Sequence, residues 1–282
     1  MTNINKRYLP VEEIPPALSF KQIGYHFSGS HQQGDDYLAI ANTSLSVADG
    51  EFVSVVGPTG CGKSTLLNLA AGLLMPTAGE VQVFGQRLSG LNTRAGYMFQ
   101  NEVLLPWRTA SENILLGLQY RGVDKQSQRQ QACYWLARVG LTAFADCYPH
   151  QLSGGMRKRV ALAQMLILDP DIILMDEPFS SLDIQTRYLM ENEVLALWEA
   201  KKKAVLFITH DLDEAIALSD RVIVLSAGPS SHPVGEFSVN LPRPRDVNEI
   251  RHQPEFIALH AALWEVLRNE VLTGYRQQQQ RG

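Results

Sequence analysis

Phe52-Val53-Ser54-Val55-Val56-Gly57-Pro58-Thr59-Gly60-Cys61-Gly62-Lys63-Ser64-Thr65 decides how this 282-residue chain is read. An apolar run leads straight into Gly-x-x-x-x-Gly-Lys-Ser, and a helical pattern follows from Ser64 to Leu74. That strand, loop and helix order is the setting of a phosphate-binding loop. Each residue type has a task. Gly57, Gly60 and Gly62 let the backbone come close to an anion, and the N–H groups of residues 57–65, Pro58 excepted, form a cradle. The helix starting near Gly62 points its positive end at phosphate. Lys63 is expected to reach the β- and γ-phosphates and Ser64 to ligate Mg²⁺, with Pro58, Thr59, Cys61 and Thr65 completing the loop. The expected ligand is ATP or GTP.

Working outward, apolar runs of similar length recur at Ile172–Met175, Ala204–Thr209 and Val222–Leu225, each bounded by polar or turn residues. Such runs read as parallel strands buried on both faces. Helical patterns lie between them, including Met156–Leu168, so the fold class is α/β. From Asn101 to Gln151 the texture changes: Ala132–Val139 is amphipathic and no clear strand is visible, which reads as a helical insert. Residues 1–17, with Pro10, Pro15 and Pro16, read as an arm. After Pro254, Phe256, Leu259, Leu263, Val266 and Leu267 follow helical spacing, and Gln277–Gly282 reads as a disordered tail.

Composition narrows the function. A net charge of −4 and a pI near 6.0 give no electrostatic footprint for a nucleic-acid backbone. Cys61, Cys133 and Cys147 fit neither a disulfide framework nor a zinc site, and the seven histidines lack metal spacing. Met1–Glu13 has no apolar core of the kind a signal peptide needs. The longest apolar stretch, Val160–Leu168, carries Gln164 and stops at Asp169-Pro170, short of the ~20 residues of a membrane span. A membrane role would have to come from a partner.

Further chemistry sits at strand ends and at a second glycine pair. Ile172-Ile173-Leu174-Met175 ends in Asp176-Glu177, which places two carboxylates at the edge where parallel sheets bind ligands. Asp176 is the candidate for holding Mg²⁺ through water and Glu177 for polarising an attacking water. Leu152-Ser153-Gly154-Gly155-Met156 opens a helical run and makes a second anion-binding helix start. Arg157-Lys158-Arg159, just beyond, reads as a solvated basic face.

With these motifs the chain resembles the ATP-binding cassette (ABC) family over about residues 18–240. The resemblance implies a phosphate-loop core sheet, an antiparallel β subdomain and a helical insert of about residues 101–165 carrying the signature. Residues 241–282 form a helical extension. It implies a head-to-tail pair of cassettes closing on two Mg²⁺-bound ATP molecules, with Ser153, Gly154 and Gly155 reaching the ATP held by the other subunit. Gln100, in Tyr97-Met98-Phe99-Gln100, matches the glutamine that touches Mg²⁺ and the attacking water. Ser181-Leu182-Asp183 matches the loop that crosses the dimer interface, and His210 the histidine that contacts the γ-phosphate. Phe27 falls where the family stacks an aromatic on adenine, with Tyr25 as the competing choice.

Leu-Ser-Gly-Gly-Met, Leu104-Leu105-Pro106-Trp107 and Leu241-Pro242-Arg243-Pro244-Arg245-Asp246 are similar to the nitrate, sulfonate and taurine importer group. Trp107 reads equally as part of a groove for a permease helix or as a core anchor. The resemblance implies an ATPase on the cytoplasmic face of the inner membrane, partnered by a permease and indirectly by an extracytoplasmic solute-binding protein. The rival from another class is a soluble ABC ATPase acting on DNA or ribosomes. One cassette, no heptad insert and an acidic balance speak against it.

Overall fold

The computed structural model describes residues 14–27, 37–180 and 182–279. Most of the N-terminal arm, His31, Ser181 and residues 280–282 lie outside them.

Two sheets organise the chain. The first is antiparallel, in the order β2-β1-β4-β5, from β1 (Leu18–Phe27), β2 (Tyr37–Val47), β4 (Ala78–Val83) and β5 (Gln86–Arg87). The second has the order β10-β9-β3-β8-β7-β6: β3 (Phe52–Val56), β6 (Ala95–Met98), β7 (Ile172–Asp176), β8 (Ala204–Ile208), β9 (Arg221–Leu225) and β10 (Pro233–Ser238). All its neighbours are parallel except the edge strand β10.

Every residue of β3, β7 and β8 is buried, because both faces of this sheet are covered. The strand period of two divides their side chains. Phe52, Met175 and Phe207 join a core with α5 (Ile184–Lys201), α6 (Leu212–Leu218) and α8 (Pro254–Gln279). Val53, Leu174 and Leu206 face α1 (Lys63–Ala70) and the antiparallel sheet.

A third core belongs to α2 (Ala110–Tyr120), α3 (Lys125–Arg138) and α4 (Gly154–Leu166), where Ile114, Trp135, Leu136 and Val160 meet. Helix α2 starts with a capping box: the Thr109 hydroxyl accepts from the Glu112 N–H, and the Glu112 carboxylate accepts from the Thr109 N–H.

Helix α8 runs on to Gln279, into the stretch read from sequence as disordered. Its last turns have a long-range support that composition does not reveal. Glu270 accepts from the Ala227 N–H at 2.8 Å, and Gly274 packs beside Ala227 and Pro58. Short α7 (Val247–Ile250) precedes it.

The sheet's parallel strands deliver their carboxyl ends to one edge. Residue 57 follows β3, Gln100 follows β6, Glu177 follows β7 and His210 follows β8, so segments far apart in sequence converge there.

Candidate nucleotide site

Gly60 and Gly62 have φ of +79° and +89°, a left-handed backbone that favours glycine. Gly62 is the N-cap of α1. It supplies no side-chain cap, and the first turn carries no acidic residue, so the helix's leading N–H groups are open to an anion. Lys63 is buried and donates from Nζ to the Gly57 and Pro58 carbonyls at 2.9 Å each, which folds its ammonium back over the loop. Cys61 is buried beneath the loop, and burial pushes its thiol up, with Lys63 opposing, so it packs as a small apolar residue.

Glu177 sits at φ +45°, and its N–H bonds to the Ile208 carbonyl at 2.9 Å, one step beyond the end of the β7–β8 ladder. This turn aims the side chain along the strand-end edge. Glu177 Oε2 accepts from Gln100 Nε2 at 3.2 Å and lies 3.3 Å from His210 Nδ1. Three separated segments therefore meet on one carboxylate oxygen. Asp176, buried beside it, has its carboxyl pushed up by burial. A hydrogen bond from Ser64 opposes that rise, and the Glu177 charge adds to it. Ser64, Asp176, Gln100 and Glu177 are thus gathered with the phosphate loop.

Ser153, Gly154 and Gly155 begin a different helix. Ser153 caps α4 by accepting from the Met156 N–H at 3.3 Å, and Asp183 caps α5 by accepting from the Thr186 N–H at 3.0 Å. Hydrogen bonds from the Thr186 N–H and side chain hold the Asp183 carboxyl below the usual range. The two helix starts are neighbours: a Cβ on Gly155 would lie 3.2 Å from Thr186 Cγ2 and 3.4 Å from Leu182 Cδ2. Neither Gly154 nor Gly155 has a phosphate-loop atom within 4 Å of the place its Cβ would take.

Phe27 ends β1 half exposed, edge-on to Tyr25 with ring centroids 4.9 Å apart, while Tyr25 packs partly into the core. Phe27 pairs across the sheet with Tyr37, whose hydroxyl donates to the Gly60 carbonyl at 3.5 Å. The β1–β2 end and the phosphate loop are thereby joined through Tyr37, a residue not picked out in the sequence.

The basic triplet after the signature corrects its sequence reading, because it is not a solvated face. Lys158 is 1% exposed and donates from Nζ to the Gln100 carbonyl. Arg157 donates to the Leu152 carbonyl at 2.9 Å and lies 3.9 Å from Glu102, and Arg159 donates to the Val139 carbonyl at 3.1 Å. A signal existed: Lys158, Leu162 and Met165 share the 4- and 3-residue spacing of the buried face of α4. Trp107 is 70% exposed and so is not a core anchor.

Two cavities flank the helical region. One of about 730 Å³ lies between α3 and α5 and contains none of the residues of the site. The other, about 400 Å³, opens beside the Gln100 loop, lined by Phe99, Glu102, Val103, Leu116, Tyr120 and Gln164. Trp107 is not among its lining residues.

The chain is similar to known proteins along most of its length. The sequence model of the family described as ABC transporter matches residues 40–180. An uncharacterized ABC transporter ATP-binding protein of Methanocaldococcus jannaschii is 45% identical over 240 residues, 85% of this chain and 88% of that one. The nitrate import ATP-binding protein NrtD of Synechocystis is 40% identical over 236 residues, 82% of this chain and 88% of its own. The taurine import ATP-binding protein TauB of Yersinia pestis is 43% identical over 224 residues, 78% and 88%. Among solved structures, a dimeric ATP-binding cassette in a post-hydrolysis state, bound to ADP and Pi, superposes with a TM-score of 0.71. It is 32% identical, covering 80% of this chain and all of that one.

Proposed function

Since the chain belongs to the ABC transporter family as an ATP-hydrolysing subunit, we propose that it powers import of a small solute, of the nitrate, sulfonate or taurine kind, through a separate permease. The observation that carries the catalytic part is the meeting of Gln100 and His210 on Glu177 Oε2, on the sheet edge that bears the phosphate loop.

In this reading the N–H groups of residues 57–65 other than Pro58, together with Lys63, hold the phosphates. Glu177 accepts the proton of the attacking water, and His210 steadies the γ-phosphate charge. The hydroxyl of Ser64, the amide oxygen of Gln100 and the carboxylate of Asp176 are hard oxygen donors that fit Mg²⁺, which when bound would neutralise charge on the phosphates. Ser153, Gly154, Gly155 and Asp183 serve the ATP of a second cassette, here proposed as a second copy of this chain. Their placement on neighbouring helix starts, away from residues 57–65, supports that role. Phe27 is the proposed adenine platform, since it is the more exposed of the two aromatics.

The proposed permease docks in the 400 Å³ groove, whose rim includes exposed Phe99, Val103 and Tyr120 and which continues into the Gln100 loop. The location proposed is peripheral, on the cytoplasmic face, and the likeness to import ATP-binding proteins supports it; no helix among the described residues is long and apolar enough to cross a membrane. An extracytoplasmic solute-binding protein would deliver the solute.

The test is affinity capture of tagged Glu177→Gln protein from its native membranes in Mg²⁺ and ATP, against a nucleotide-free control. A retained polytopic membrane protein is the expected result. Recovery of ribosomal or DNA-repair components, with no membrane protein in either condition, would overturn the transport reading.

A further inference from the structure

Lys158 has no part in binding nucleotide in the reading above, yet it is a buried cation in the middle of the site's framework. Its side chain leaves α4 five residues after the Ser153 cap and ends on the backbone carbonyl of Gln100. The side chain of the same Gln100 donates to Glu177. Arg157, one residue earlier, lies 3.9 Å from Glu102, two residues beyond Gln100, so two consecutive basic side chains of one helix face residues 100–102.

Burying an ammonium on a carbonyl is costly when a methionine could fill the same volume. Burial lowers the Lys158 pKa, and Glu102, Asp176 and Glu177 hold it up.

We propose that Lys158 is a positioning residue that couples the two nucleotide sites. It fixes the Gln100 loop to the helix whose start, Ser153–Gly155, serves the partner's ATP. A helix is stiff over this distance, about 7.5 Å of axial rise from Ser153 to Lys158, so a shift of its start is delivered to Gln100 and thence to Glu177. Engagement of one ATP by the signature then aligns the base for the other. The inference rests on the proposed roles of Ser153, Gly155 and Glu177.

The test compares Lys158→Met, which keeps the stem and removes the donor, with Lys158→Gln, which keeps a donor without charge. Steady-state hydrolysis, binding of a fluorescent ATP analogue and thermal midpoint are measured on each full-length protein. Lys158→Met is expected to lower kcat by about ten- to a hundredfold, the scale of a misplaced catalytic group, with KM and analogue affinity within about twofold of the parent. Lys158→Gln should recover part of kcat.

A parental kcat in Lys158→Met would overturn the proposal. So would a loss of kcat in both variants that tracks loss of analogue binding or of thermal midpoint, since that pattern belongs to packing alone. Glu177→Gln assayed in parallel separates the failures. If it hydrolyses at the parental rate, the reading of the base fails. If it is inactive while Lys158→Met is parental, only the coupling fails.

Discussion

Gln100 donates to Glu177 at 3.2 Å across the ends of two adjacent parallel strands, since one residue follows β6 and the other β7. The carboxylate is therefore oriented from the side before any substrate arrives. Glu177→Gln keeps the side chain's shape and removes its capacity as a base. Hydrolysis should fall by roughly 10²–10⁴, the usual contribution of such a group, while ATP binding persists and a closed pair of cassettes accumulates. Phosphate release and size-exclusion chromatography in Mg²⁺ and ATP check this. A monomer turning over at the parental rate contradicts it.

The ammonium of Lys63 is already bonded to the Gly57 and Pro58 carbonyls, so phosphate oxygens must compete with them. Binding energy from this residue is the difference between two sets of charge-assisted bonds. A net of about 1.5–3 kcal/mol predicts that Lys63→Met weakens ATP binding by roughly ten- to a hundredfold. Equilibrium titration with a fluorescent analogue measures it, and an unchanged affinity would remove Lys63 from the phosphate contacts.

Stability should fall as pH rises across neutrality. Burial pushes Glu191 up to about 8, with Glu214 adding and Arg251 opposing, and pushes Glu214 up to about 7, with Thr209 opposing. Asp211 adds to both rises and Arg187 opposes both. An unfolded glutamate loses its proton near 4.3. Between that pH and about 8 the folded chain therefore binds more protons than the unfolded one, and stability declines with pH through the window. Glu191→Gln should flatten the fall in thermal midpoint between pH 5.5 and 8.5. An equal slope in both proteins would locate the effect elsewhere.

Arg245 is buried and donates to five carbonyls: those of Ile216, Ala217 and Ser219 at the end of α6, and those of Val239 and Leu241 beyond β10. Arg245→Met strands these acceptors, and the expected cost is about 3 kcal/mol or more. Urea denaturation should show a lower midpoint at constant slope. An unchanged midpoint would mean that water replaces the guanidinium.

Much of this was legible in the sequence because its causes are local. The phosphate loop needs glycine at Gly60 and Gly62, and both have a positive φ. The runs at residues 52–56, 172–175 and 204–208 are apolar but for Ser54 because both faces of the sheet are covered. What escaped has non-local causes. Lys158 was read from its charged neighbours, but its environment is set by the Gln100 loop, 58 residues away. Tyr37 matters through Gly60, and the end of α8 through Ala227 and Pro58, contacts that no local pattern encodes.

The bond from the Glu177 N–H to the Ile208 carbonyl makes β8 the reference from which two groups are measured, because His210 leaves the same strand two residues later. A displacement of β8 is common to Glu177 and His210 and cancels in the distance between them. Gln100 hangs from β6, two strands from β8, and meets Glu177 from two residues beyond the last β6–β7 pair, Met98 with Met175. Positional tolerance is therefore unequal around the carboxylate: tight on the histidine side, and adjustable on the glutamine side.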